Sequence, residues 1–199
     1  MAAPTRSARA SWQDVKPRDQ MEKIGYYFRG GGMILEQQND GRQANGDPIE
    51  FNTGGGFSLA LGYRLGGDVP ISVEGEYAYR HADADSAGGG DGSIKLHSLT
   101  FNVMLDLPDL IGPVGFYAGM GLGIRIDKFA FSSSSGNATA GISGDGFFWQ
   151  ARGGLTISIT PRTQLYAGVI WADGGTSDSI TQSVDVEMVG AEFGFRLFF

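Results

Sequence analysis

The sequence predicts an all-β fold, an eight-stranded antiparallel up-and-down transmembrane β-barrel. Three observations predict it. Apolar residues recur at every second position in one segment after another, the period of a strand with two unlike faces. Short connections alternate with long ones along the chain. The faces that are not apolar carry mainly Gly, Ser, Ala and Thr, with few of the lysines and glutamates that a watered surface collects.

Residues 1–24 read as a separate polar, mobile leader. Arg6, Arg9, Asp14, Lys16, Arg18, Asp19, Glu22 and Lys23 interrupt it, so it holds no continuous apolar core of the kind an export signal needs. A barrel of this class must be exported, so the expectation is a mature chain whose natural signal has been removed. Residues 25–199 form the barrel. The first strand, Gly25 to Glu36, has no clean parity, and its faces stay unassigned.

The second strand, Phe51 to Leu65, sets Phe57, Leu59, Leu61, Tyr63 and Leu65 against Gly56, Ser58, Ala60, Gly62 and Arg64. The third, Ile71 to His81, sets Val73, Gly75, Tyr77 and Tyr79 against Ser72, Glu74, Glu76, Ala78 and Arg80. The fourth, Ile94 to Leu107, carries Leu99, Phe101, Val103 and Leu105 on one face. The fifth, Val114 to Phe129, alternates Phe116, Ala118, Met120, Leu122, Ile124 and Ile126 with Tyr117, a run of glycines, Arg125 and Asp127. The sixth, Phe147 to Thr160, and the seventh, Gln164 to Ala172, continue the pattern. The eighth starts near Gln182 and runs to the end of the chain. The connections after Leu65, Leu107 and Thr160 are tight, whereas 37–50, 82–93, 130–146 and 173–181 are longer and rich in Gly, Ser, Asn and Asp.

Composition narrows the classes. Glycine accounts for 33 of 199 residues, yet aromatics reach 12%, which disordered glycine-rich chains lack. No apolar run approaches the ~18 residues of a membrane helix, a test to which alternating strands are blind. The absence of cysteine excludes disulfides, thiolate metal sites and a cysteine nucleophile. A net charge of −7 argues against nucleic acid as a partner.

Two barrels compete, and the composition of each face separates them. A soluble lipocalin-like barrel keeps its apolar face inside around a ligand, and a membrane barrel turns it outward. Small residues suit a narrow lumen, and about eight strands leave room for side chains alone. The polar faces would then bring Arg64, Arg80, Arg125, Arg152 and Arg196 inward together with Glu74, Glu76, Asp106, Asp127 and Glu192. A lone charge in such a lumen costs several kcal/mol, so these equal numbers are expected to pair as an interior charge network.

The segments Tyr26-Tyr27-Phe28-Arg29-Gly30-Gly31-Gly32, Val73-Glu74-Gly75-Glu76-Tyr77 and Phe116-Tyr117-Ala118-Gly119-Met120-Gly121-Leu122-Gly123 carry a resemblance, as does the terminal strand with Phe193, Phe195, Leu197 and Phe199 on one face. Over residues 25–199 the chain resembles the small eight-stranded outer-membrane barrels of the OmpA/OmpX and opacity-protein type. The resemblance implies the bacterial outer membrane, both termini in the periplasm, and a terminal aromatic, Phe199, read by the barrel-assembly machinery. These motifs are architectural and imply no catalysis.

Chemistry-bearing residues are few. Gly119-Met120-Gly121-Leu122-Gly123 lacks the spacing and following helix of a nucleotide loop. His81, beside Asp83, Asp85 and Ser86, is the candidate base of a lipid A or phospholipid hydrolase, an activity found among small outer-membrane barrels. His97 adjoins Ser98, but neighbours on a strand point to opposite faces. Asp83, Asp85 and Asp91 around a glycine run offer oxygens to calcium without the ligand order of an EF-hand. Ser132 to Ser135 with Asn137 read as a low-complexity loop tip. The expected function is therefore a monomeric, structural or adhesion-type membrane protein with no cofactor, no metal and no catalytic residues. It would display its loops to an extracellular or envelope protein partner and contact outer-membrane lipid. A hydrolase and a soluble ligand-binding barrel are the alternatives.

Overall fold

The computed structural model describes residues 25–38, 41–43, 48–66, 71–86, 91–132, 139–178 and 182–199, with the backbone path alone at 41–43, 48–51, 84–86, 91–92, 109, 129–132, 139–144, 176–178 and 182–185. The polar leader expected at 1–24 lies outside the described residues. The strands are β1 (Gly25–Gln37), β2 (Gly41–Gln43), β3 (Pro48–Phe51), β4 (Gly54–Arg64), β5 (Ile71–Ser86), β6 (Asp91–Ile111), β7 (Val114–Ser132), β8 (Thr139–Thr160), β9 (Thr163–Asp178) and β10 (Gln182–Phe198).

Every pairing is antiparallel, and the sheet closes on itself where β1 meets β10 from Tyr27↔Phe198 to Gln37↔Met188. Two of the ten strands are continuations. β2 extends the β1 stave along β10, with Arg42 opposite Ser183, and β3 leads into β4 along β5, with Glu50 opposite Asp85. The wall is therefore eight staves, and closure leaves no unpaired edge in hydrocarbon.

The tight connections have distinct chemistry. Between β6 and β7 the turn is Gly112-Pro113, with Gly112 in the left-handed region at φ 62° and Ile111 paired to Val114. The ladder slips between Leu107 and Ile111, where Pro108 has no N–H to donate. Between β8 and β9, Pro161-Arg162 turns the chain, and Thr160 Oγ1 accepts from the Arg162 amide at 3.2 Å.

At the long-loop end the strands outrun their expected limits. β5 reaches Ser86, β7 reaches Ser132, β8 begins at Thr139 and β9 ends at Asp178. The apolar alternation stops where hydrocarbon stops, but the backbone ladder does not, so a hydrophobic pattern cannot mark these ends.

The two faces are opposite in character. Leu61, Phe101, Met120 and Val169 stand on the outer face, each about 60% or more exposed. Arg29, Glu74, Asp127 and Arg196 are buried inside. A soluble barrel of the lipocalin kind would have these reversed, so that reading is set aside.

Candidate functional site

The lumen is the most organised region of the molecule, and it is filled in layers. At the short-turn end, Asp106 sits between two arginines. Its Oδ1 accepts from Arg196 Nη1 at 2.5 Å, and its Oδ2 accepts from Arg64 Nη2 at 3.0 Å and Ser72 Oγ at 2.9 Å. Phe198, the inward neighbour of the outward Leu197, lays its ring 4.7 Å from the Arg64 guanidinium carbon.

The middle layer is denser. Glu74 takes Arg29 Nη2 at 2.9 Å and the Tyr27 hydroxyl at 2.7 Å. Glu76 receives Arg29 on one side, Arg152 at 2.9 Å on another and Gln150 Nε2 at 2.9 Å. Arg152 Nη1 also reaches Glu192 at 3.2 Å, and the Tyr117 hydroxyl donates to Glu192 at 2.8 Å. Toward the long loops, Arg125 pairs with Asp127 and its Nε donates to the Gly174 carbonyl at 3.0 Å.

Glycines make room for this layer. A Cβ at Gly62 would strike the Tyr27 ring, at Gly168 the Tyr117 hydroxyl, and at Gly31 or Gly194 the Tyr166 hydroxyl. The three lumenal tyrosines lie over bare backbone, and their hydroxyls then reach the charges.

Above the middle layer, level with the Arg125–Asp127 pair, the lumen turns largely apolar. Met33, Leu35, Ile94, Leu96, Phe148, Ile170, Val186 and Met188 pack together. Arg80 sits beneath this cap with Nη1 on Ser98 Oγ at 2.7 Å, Nη2 on Gln150 Oε1 at 2.9 Å and its guanidinium 5.0 Å from the centre of the Phe148 ring. A void of about 10 Å³ beside Arg80, Leu96 and Met188 has room for one water.

All ten residues of the expected interior network, Arg64, Glu74, Glu76, Arg80, Asp106, Arg125, Asp127, Arg152, Glu192 and Arg196, are buried in the lumen. The expected equality of charges needs correction. Arg29 joins them, making six arginines to five carboxylates among the described residues, and Arg80 has no carboxylate partner there. Arg29 was hidden because Gly30, Gly31 and Gly32 blank the parity of β1. Its inward set is Tyr27, Arg29, Gly31, Met33 and Leu35; its outward set is Tyr26, Phe28, Gly30, Gly32 and Ile34. Gln150, Asn102, Tyr117 and Tyr166, on the inward small-residue faces but outside the expected network, also join it. Their polar tips inside a small-residue face were the available signal.

Phe193, Phe195, Leu197 and Phe199 all lie on the outer face of the closing stave. At the long-loop end of that face, Trp149 and Trp171 stack edge to face at 4.8 Å between ring centres, with their indole N–H groups on Asp173 and Glu187. Tyr26 and Tyr63 form a similar pair, 4.9 Å apart, at the short-turn end. The apolar wall thus has an aromatic rim at each end, the layout of a membrane belt.

The sequence matches the family described as Outer membrane protein beta-barrel domain over residues 15–196. The chain belongs to this family. Its place is accordingly the outer membrane of a Gram-negative-type cell. Among solved structures, Neisserial surface protein A is similar at a TM-score of 0.58 and 19% identity, over 88% of this chain and 97% of that one. OprG of Pseudomonas aeruginosa is similar at 0.65 and 15%, over 90% of this chain and 98% of that one. At these identities the likeness shows a shared fold. No curated protein matches the chain significantly.

The histidines do not assemble a hydrolytic set among the described residues. His97 Nδ1 lies 2.8 Å from the Tyr77 hydroxyl on the outer face, while Ser98 is inside against Arg80. His81 Nδ1 is 3.1 Å from the Ile94 carbonyl, so it carries the proton there, and Nε2 faces Asp83 at 3.4 Å. The side chains of Asp85, Ser86 and Asp91, named as partners of His81 or as calcium ligands, lie outside the described residues, as do those of Ser132 to Ser135 and Asn137. The Gly119-Gly121-Gly123 series lines the inside of β7 within the sheet, not a loop.

Proposed function

We propose that this outer-membrane barrel has a structural or adhesive role, with its long-loop end outward and both termini in the periplasm. One observation carries the reading. A membrane strand needs about 9–11 residues, yet β6, β7 and β8 have 21, 19 and 22, and the excess lies at the long-loop end. The wall continues past the apolar belt as a raised collar. A closed lumen beneath it offers no route for solute, so the collar is the part of the molecule that meets a partner. That partner is an extracellular or envelope protein contacted through the loops, and the barrel acts as a monomer.

The test is attachment. Cells expressing the barrel should bind a host-cell or matrix surface, and replacing residues 39–40, 44–47 and 179–181 by glycine-serine should abolish binding without reducing folded protein. Binding that survives replacement of every long loop would refute the display role.

Hydrolysis is the weaker reading. The nitrogen of His81 that would take a proton from a nucleophile is the one facing Asp83. Lipid A from a host expressing the wild type and the His81→Ala variant should be identical by mass spectrometry. Deacylation seen with the wild type alone would reinstate the enzyme.

A further inference from the structure

The outer face at the long-loop rim is acidic on one side of the barrel. Glu36, Asp173 and Glu187 lie along β1, β9 and β10. On the opposite side, Lys95 of β6 and Lys128 of β7 are direct cross-strand partners, both exposed and both outward. Their side chains start about 5 Å apart, and like charges set directly opposite destabilise a sheet. Neither has a carboxylate partner among the described residues. His81 flanks Lys95 on β5 and is already turned to Asp83, and Asp145 lies diagonal to Lys128, one rung toward the membrane.

Below the two lysines the outer wall steps down through recognisable rungs. Tyr79, His97 and Ile126 come first, then Tyr77, Leu99 and Ile124, then Gly75, Phe101 and Leu122. In the upper rungs the Tyr77 hydroxyl and His97 Nδ1 are hydrogen-bonded to each other. Gly75 opens the wall. No heavy atom lies within 4 Å of where its Cβ would be, whereas Gly30 and Gly32, also outward, are covered by the rings of Phe28, Phe195 and Phe193. A groove of about 650 Å³ results, lined by Leu59, Leu61, Tyr77, Leu99 and Phe101. Lys95 to Phe101 spans roughly 20 Å of strand, which at a 45° tilt is about half the ~30 Å hydrocarbon thickness. A cationic head position and an apolar recess one leaflet deeper therefore share one face.

We propose that Lys95 and Lys128 hold the phosphomonoester headgroup of a membrane lipid, with an acyl chain descending the wall into the Gly75 groove. Charge selects the ligand. A phosphomonoester carries about −1.5 to −2 at neutral pH, matching two lysines, and a phosphodiester carries half as much. The bound phosphate removes the repulsion between the lysines, and the groove adds contact that a free anion cannot make. The leaflet involved depends on the orientation proposed above; the binding itself does not.

The experiment uses the full-length barrel folded in neutral detergent and native mass spectrometry to count retained lipid. Phosphatidic acid, phosphatidylglycerol and phosphatidylcholine with identical chains are the probes. Phosphatidic acid should be retained at one per barrel, ahead of the other two. Each Lys→Gln change should weaken retention about fivefold and the double change some 25-fold, the scale of one basic residue at an anionic surface. Gly75→Leu should weaken it with both lysines intact. Excess inorganic phosphate should not displace the lipid. Equal retention of the three lipids, indifference to the double variant, or displacement by inorganic phosphate would each overturn the proposal. Heat-modifiable mobility checks that the variants fold. Labelling Lys95 in whole cells with an impermeant amine reagent tests orientation separately, so a wrong orientation and a missing site give different results.

Discussion

Glu76 is buried in the middle of the lumen and held by Arg29, Arg152 and Gln150. Its worth lies less in any one bond than in what its loss would leave. Glu76→Ala leaves the Arg29 and Arg152 guanidinium groups facing each other with Glu74 and Glu192 as their remaining carboxylates, and breaking a buried ion pair from one side costs about 3–5 kcal/mol. Arg152→Met should cost a similar amount, because Glu76 and Glu192 lose their shared cation. Arg80→Met should be milder, well under half of that, since Arg80 leans on Ser98, Gln150 and Phe148 and has no carboxylate to orphan. Urea unfolding in detergent, read from tryptophan emission, ranks the three; an Arg80→Met variant as unstable as Arg152→Met would show that the sixth arginine is part of the ion network. The lumenal glycines belong to the same argument. Gly62→Val should prevent Tyr27 from lying flat and so detach its hydroxyl from Glu74, lowering the folded fraction on a heat-modifiability gel. That the interior held these charges was legible from strand parity. Which arginine met which carboxylate was not, because register and barrel stagger decide it, and neither is written in any single strand.

At the scale of elements, legibility followed the environment on each face. β4 to β10 were readable where one side met hydrocarbon and the other a narrow lumen, since that contrast forces alternation. β1 failed the test. Three consecutive glycines blank its parity, and Phe28, Ile34, Met33 and Leu35 put apolar side chains on both faces. The strand extensions at the long-loop end failed for the opposite reason, because water on the outer side removes the contrast. The ladder there should be weaker than in the belt. Amide exchange in detergent should be fast at Thr139 to Gly144 and slow at Phe148 to Thr156; equal protection would mean that the collar is as stable as the belt. The closing stave makes a further prediction. We propose that Phe199 is read during assembly. Its outward ring lies at the short-turn rim, and its amide donates to the Tyr26 carbonyl at 3.0 Å. Deleting Phe199 removes one backbone hydrogen bond at the very end of the closing stave, about 1 kcal/mol. Refolding into detergent should therefore be nearly normal while the folded yield in cells falls several-fold. Normal yield in cells would remove the assembly role.

For the whole molecule, the decisive quantity is the space left inside. Eight staves enclose a lumen that side chains can just fill, and here they do so with two unlike fillings. The lower part is a charged lattice tied across the barrel by Arg29, Arg152 and Arg196. The upper part is an apolar cap from Met33 to Met188, with the Arg125–Asp127 pair beside it. An ion passing through would have to displace the first and dehydrate against the second. Neither barrier alone is decisive, because charged side chains can rearrange around an ion and apolar caps can open. In series they act together, so planar-bilayer recordings should show rare and small openings. The arrangement also says which change should matter. Emptying the cap with Phe148→Ala and Leu96→Ala leaves the charged lattice in place, and conductance should rise only slightly. Loosening the lattice with Glu76→Gln leaves the cap in place and should also have little effect. Combining the two should raise open probability well beyond the sum of the separate changes. Steady large conductance in the wild type would mean that the arginines and carboxylates line water instead of pairing across it. Additive effects in the variants would mean that one filling alone closes the barrel.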